Sequence, residues 1–405
     1  MSRTEVRLSD ASGWRSPANA LIVMSAANYL SFATWNALHT NFAINVLGFN
    51  GTQIGILHTV REIPGFLSFA AVFFLHIMRE QTLGLLSLLL IGGGVAITGF
   101  FPTAIGFYVT TVIKSLGFHY YETVAQSLSL QWFEKREAPR LLGRVIAATS
   151  FATIASYALI FLFWDWLRLD YFWLFVAGGV GTLLMAAFVW LAFPSFKEEV
   201  PQHKKLILRS RYWLYYALVF MGGARRQIFV VFAAFLMVQK FNYGVGAMTL
   251  LLLVNAVFNT LLAPKIGQMI GNWGDRKSML VEHAGLVIVF LLYAVVHDPW
   301  IAAVLYILDN AFFSFSIAQK TYFQKIAAPA DIAPTSGVAF SINHIAAVGL
   351  PIPLGIVWDF SPPAVFLFGA AMAGVAFLLS LLVPHDPAPG YETTLQTKPV
   401  AAPAE

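Results

Sequence analysis

The sequence predicts an all-α polytopic membrane protein, with twelve transmembrane helices in two pseudo-symmetric six-helix bundles. Three observations predict it. Of 405 residues, 58% are apolar and only 11% charged, with a mean hydropathy of +0.71, whereas soluble domains carry about 25% charge. The apolar residues gather into runs that reach the roughly 20 residues needed to cross a bilayer. Short motifs recur about one half-chain apart.

Taken in order, the spans are expected at 18–46, 53–78, 83–101, 104–132, 142–165, 171–193, 212–238, 244–270, 279–297, 299–326, 335–358 and 362–384. Residues 1–17 form a polar tail carrying Arg3, Arg7 and Arg15. This tail has no apolar core of its own, so the first span is expected to stay in the protein rather than act as a cleaved signal. A polar linker, 194–211, separates the bundles 18–193 and 212–384. The tail 385–405, rich in Pro, Ala and Thr, is expected to be disordered.

Nineteen basic residues fall in the tails and even-numbered loops, against only Arg168 and Lys240 on the opposite side. That asymmetry predicts cytoplasmic termini at a cytoplasmic membrane. The +5 net charge lies in short inter-helix loops and marks topology, not a nucleic-acid face. The absence of cysteine excludes disulfides and thiolate metal sites.

Three motifs repeat in order. Ala125–Gln131 (AQSLSLQ) matches Ala318–Gln324 (AQKTYFQ), and Trp164-Asp165 matches Trp358-Asp359. Val46–Asn50 (VLGFN) matches Val238–Asn242 (VQKFN). Both halves begin on the same side, so the repeat is parallel.

The loop after span 8, GQMIGNWGDRK (Gly267–Lys277), resembles a signature of the major facilitator superfamily of secondary transporters. Gly267, Gly274, Arg276 and Lys277 match it, while Gly271 and Asn272 stand where the signature has aspartate and arginine. The equivalent loop of the first half keeps Arg79. The resemblance implies a gating role for this loop and a central cavity lined by spans 1, 4, 7 and 10. Spans 2, 5, 8 and 11 would flank that cavity, and 3, 6, 9 and 12 would face lipid. The small-residue runs GGGVAITG, AGGVG and GAAMAG in spans 3, 6 and 12 suit close helix packing.

Charges inside a membrane are costly and mark function or pairing. Arg225 and Arg226 lie mid-span in span 7, about 100° apart around the helix. One is expected to meet solute while the other contacts a neighbouring helix. Arg61 and Lys114 join them as candidate solute contacts, with Asn36, His39, Asn255, Asn343 and His344 as polar candidates. Glu122, Asp309, Glu62 and His119 are candidate proton carriers, because burial and neighbouring charge move such groups toward neutrality. A single His-x-x-Glu pair, His119 and Glu122, does not amount to a metal site, and no cofactor is expected.

The embedded charges count as Arg61, Lys114, Arg225 and Arg226 against Glu62, Glu122 and Asp309, with Glu282 near a span end. The slight cationic excess favours a small anionic organic solute. Without an ATP-binding Gly-rich loop, an ion gradient, most simply of protons, is the expected energy source. The reading is therefore a monomeric secondary transporter working by alternating access. The alternatives are an exporter of amphipathic molecules or a non-transporting sensor. No His-Glu-x-x-His, Gly-x-Ser-x-Gly or carboxylate dyad suggests an enzyme.

Overall fold

The computed structural model describes residues 5–6, 13–75, 77–133, 137–196, 208–328 and 331–397. Arg3, Arg7, Lys135, Arg136, Lys197, Lys204, Lys205 and Lys398, all part of the orientation argument, lie outside them.

Local chemistry sets the helix starts. Span 1 (Pro17–Asn45) has Pro17 at its first position behind Ser16, whose hydroxyl accepts the Asn19 N–H. Thr103, Asp170 and Asp298 cap span 4 (Ala104–Trp132), span 6 (Tyr171–Ala192) and span 10 in the same way. Span 3 is Glu80–Thr98 and span 5 Ala138–Asp165. Span 8 is Val245–Trp273, span 9 Asp275–Val295 and span 12 Pro362–Leu381.

The remaining four spans are interrupted. Span 2 runs as Gly51–Phe66, with Pro64 inside, then a 3-10 turn Leu67–Ala70, then Ala71–Phe74. Span 7 passes from Trp213–Gln227 into a π-helical segment, Ile228–Ala233, and ends as Ala234–Gln239. Span 10 joins Pro299–Phe313 to Ile317–Ile326 through a 3-10 turn. Span 11 breaks between Ile332–Gly349 and Pro351–Phe360, where Pro351 supplies no N–H.

Among the described residues nine helices are long and apolar enough to cross a membrane. Spans 1, 2 and 4 are not among them. These carry the embedded Asn, His, Arg, Lys and Glu, which depress their hydropathy.

The described residues fall into two compact units. One takes residues from 1–49, 60–203 and 242–256; the other from 50–59, 204–241 and 257–405. In the first, span 1 packs on spans 5 and 6, and span 3 on spans 4 and 6. In the second, the first part of span 11 and span 12 pack on span 7, and span 12 packs on span 9. Each unit also fastens an acid at a helix start. Glu80, opening span 3, accepts from Ser127 (2.9 Å) and Gln131 (3.0 Å) of span 4. Asp275, opening span 9, accepts from Thr321 (2.5 Å) and Lys325 (2.7 Å) of span 10. These partners lie in or just beyond the repeated AQSLSLQ and AQKTYFQ motifs.

The small-residue runs pack as closely as expected. A Cβ on Gly179 would collide with the backbone of Ala96 and Gly92, whereas one on Gly93 would meet nothing within 4 Å. Gly179→Ala should therefore cost about 1–3 kcal/mol by overpacking. Gly93→Ala should be neutral or stabilising through helix propensity. Melting temperatures of the two variants in detergent will show whether that contrast holds.

Two expectations change. Of the tail 385–405, expected to be disordered, residues 398–405 lie outside the described residues, and residues 385–397 are held against the second unit. The Tyr322 hydroxyl donates to the Glu392 carbonyl at 2.6 Å, and Thr394 N–H to the Leu382 carbonyl at 2.8 Å. The expected loop Gly267–Lys277 is mostly helix, with Gly267 inside span 8 and Arg276 and Lys277 in the first turn of span 9. Gly274 alone links them at φ +77°, a conformation that favours glycine.

Candidate functional site

In the first unit the embedded charges gather around Trp35 of span 1, which is fully buried. His39, one turn on, stacks on it at 4.1 Å with an interplanar angle of 9°. The Lys114 ammonium of span 4 sits 3.5 Å above the same ring, and the Arg61 guanidinium of span 2 lies 5.9 Å from it. Arg61 is paired with its neighbour Glu62 at 2.5 Å, and Ser115 of span 4 donates to the Arg61 carbonyl. His39 is held by the Asn36 carbonyl and Thr40, each at 3.1 Å. Asn36 donates to the Tyr157 hydroxyl of span 5 at 3.0 Å.

Glu122, half-buried on span 4, accepts from Asn28 at 2.9 Å. Lys114 and Glu122 form no ion pair, despite their shared helix face. Lys114 is 2% exposed and has no hydrogen-bond or ion-pair partner among the described residues. His119 is buried on the same helix.

In the second unit the two arginines separate. Arg225 is buried, with Nη2 3.3 Å from Glu282 of span 9 and Nη1 3.9 Å from Asp309 of span 10. Its guanidinium lies 5.2 Å from the Phe313 ring centroid. Both Asp309 carboxylate oxygens lack a hydrogen bond. One guanidinium thus serves two buried acids. Arg226, only half-buried, has no partner among the described residues. The π-helical segment begins two residues later, and such segments are frequent at functional sites.

Two of the other polar candidates also make hydrogen bonds. Asn343 donates to the Val219 carbonyl at 3.5 Å, and His344 bonds the Phe340 carbonyl at 2.9 Å. Asn255 is buried with its carbonyl oxygen unbonded. In the expected gating segment, Lys277 lies over the Trp273 ring, while Arg276 is half-buried without a partner among the described residues. On the loop before span 11, the Arg209 hydrogen bond holds the Asp331 carboxyl below its ordinary range.

Glu282 is the residue that sequence reasoning set aside. It is 2% exposed and one of Arg225's two acid partners. Counting it makes the embedded charges four against four, so the cationic excess disappears as an argument.

The sequence profile of the Major Facilitator Superfamily matches residues 20–351. The chain belongs to the Major Facilitator Superfamily. Solved structures agree on the fold. A nucleoside transporter, NupG, superposes with a TM-score of 0.70 at 15% identity, covering 90% of this chain and 98% of its own. A peptide transporter, POT, in complex with sulfate gives 0.73 at 13%, with 92% and 94% covered. A bacterial homologue of the human lysosomal transporter Spinster gives 0.72 at 12%, with 90% and 95% covered. No curated protein sequence matches the chain. As a member of this superfamily the protein is a multi-pass secondary transporter of small-molecule solutes rather than an enzyme.

Proposed function

We propose that this superfamily member couples proton movement to transport of a small organic anion across the cytoplasmic membrane, with both termini cytoplasmic. One observation carries the anionic part. Every embedded acid is engaged: Glu62 by Arg61, Glu122 by Asn28, Glu282 and Asp309 by Arg225. Lys114 and Arg226, one cation in each unit, form no ion pair or hydrogen bond with an acid among the described residues. The anionic preference thus rests on which charges are unengaged, not on their sum. Asp309 and Glu282, sharing Arg225, are the proton carriers, with Glu122 as a further candidate.

A second reading, export of amphipathic molecules, is favoured by the half-buried aromatic group of Tyr29, Phe32 and Phe118. Phe32 and Phe118 stack at 4.6 Å.

Thermal-shift screening of purified protein with small carboxylates, phosphates, amines and amphiphiles separates the two. Stabilisation by an anion that Arg226→Gln loses supports the first reading; stabilisation by amphiphiles in wild type and variant alike supports the second. In proteoliposomes, Asp309→Asn should reduce uptake driven by a pH gradient about tenfold or more while leaving solute counterflow, because proton and solute binding are linked reciprocally. Gradient-driven uptake at the wild-type rate would remove Asp309 from coupling.

A further inference from the structure

The repeated Trp-Asp and Phe-Asn motifs are not absorbed by solute or proton binding, and the structure brings them together. The first turns of span 2 (residues 50–59) belong to the unit built otherwise from the second half of the chain. The start of span 8 (242–256) belongs to the other. Each helix start meets the carboxylate that ends a different span. Asp359 accepts from Gly51 N–H at 2.6 Å, Thr52 N–H at 3.0 Å and the Thr52 hydroxyl at 2.6 Å. Beneath it the backbones touch: a Cβ on Gly55 would meet the Pro351 carbonyl, and one on Gly355 the Gly51 carbonyl. Further along, the Thr59 hydroxyl donates to the Val348 carbonyl at 3.0 Å.

Asp165 lies against the start of span 8 in the other unit, without a hydrogen bond to it among the described residues. Its oxygens lie 2.5 and 2.8 Å from where a Cβ on Gly246 would sit, one residue into span 8. Asn41 holds the preceding Tyr243 carbonyl at 2.7 Å. The flanking tryptophan of the first clasp is fixed as well, with Trp358 Nε1 donating to Gln239 at 2.8 Å.

We propose that Asp359 and Asp165 are a pair of clasps, positioning residues that hold the starts of spans 2 and 8 in one state of the transport cycle. A carboxylate at a helix N-terminus satisfies backbone N–H groups that have no partner in the helix and opposes the helix dipole. It grips a helix end without a bulky side chain and leaves the contact reversible. Both partners of each clasp lie within one unit, and spans 2 and 8 then run on along the chain into residues of the other, so bending or releasing either span at its start must work against the grip. The inference rests on superfamily membership and not on the identity of solute or coupling ion.

The natural chain has no cysteine, so a single reporter can be introduced directly. Ile54 in the clasped segment is fully buried, and Ile54→Cys should react slowly with a polar maleimide in nanodiscs. Adding Asp359→Ala should raise that rate about tenfold, the scale of losing a charge at a helix N-terminus. Thr52→Ala, which leaves both backbone bonds, should raise it less, and Asp359→Glu should restore part of the protection. Asp165→Ala should free an equivalent reporter at the buried Met248. Leu286→Cys, buried in span 9, reports general loosening. An unchanged rate at Ile54→Cys, or a rise matched at Leu286→Cys together with a lower melting temperature, overturns the proposal.

Discussion

Replacing Arg225 with alanine should be among the most destabilising single changes in the second unit. The substitution leaves Glu282 and Asp309, both nearly inaccessible, beside each other without their cation. Breaking a buried ion pair from one side costs about 3–5 kcal/mol, because the remaining charge has neither water nor partner. In a unit of this size that corresponds to a melting-temperature fall on the order of ten degrees. The loss should shrink at acidic pH, where a protonated carboxyl no longer needs the guanidinium. The triple variant Arg225→Met, Glu282→Gln, Asp309→Asn removes all three charges together and should recover most of the lost stability, since an apolar or neutral replacement avoids the desolvation cost. It should not recover pH-driven transport. A loss below about 1 kcal/mol for Arg225→Ala, within the range of an exposed pair, would mean that the acids do not depend on this arginine.

The cluster shows where the sequence was sufficient and where it stopped. Two adjacent arginines on a helix must diverge, and Arg225 and Arg226 do so: one is buried against acids, the other half-buried with no partner among the described residues. Glu282 was lost through a boundary. Hydropathy starts span 9 at Met279, after the charged DRK stretch, which leaves Glu282 close to the membrane surface. The helix starts at Asp275, because Asp275 is fastened to Thr321 and Lys325 of span 10 and accompanies the helix inward. Glu282 is then two turns inside. The tail fails for a related reason. Composition reports that 385–397 lacks apolar periodicity, but not that one backbone carbonyl, at Glu392, will meet the Tyr322 hydroxyl. The clasps were legible as motifs but not as contacts, since Gly51 and Asp359 are 308 residues apart. Local pattern fixes helix type and face; pairing between distant helix ends depends on tertiary packing.

Lys114 gives the most direct separation of function from stability. The residue is 2% exposed, its ammonium faces the Trp35 ring, and no acid among the described residues hydrogen-bonds or ion-pairs with it. A cation over an aromatic face contributes roughly 0.5–2 kcal/mol, less than the several kcal/mol that burying an ammonium costs. A lysine kept for packing alone would therefore be replaced to advantage by an apolar chain of similar length. Lys114→Met should leave the melting temperature unchanged or raise it, because the methionine covers Trp35 without a desolvation penalty. If the ammonium instead receives an anionic solute, the same substitution should weaken binding by about a hundredfold, the effect of removing one partner of a buried charge pair. Melting curves and solute titration on one preparation of Lys114→Met decide between these roles. A stable variant that no longer binds places the cost of burying Lys114 in recognition, whereas a destabilised variant that binds normally makes the lysine a structural element of spans 1 and 4.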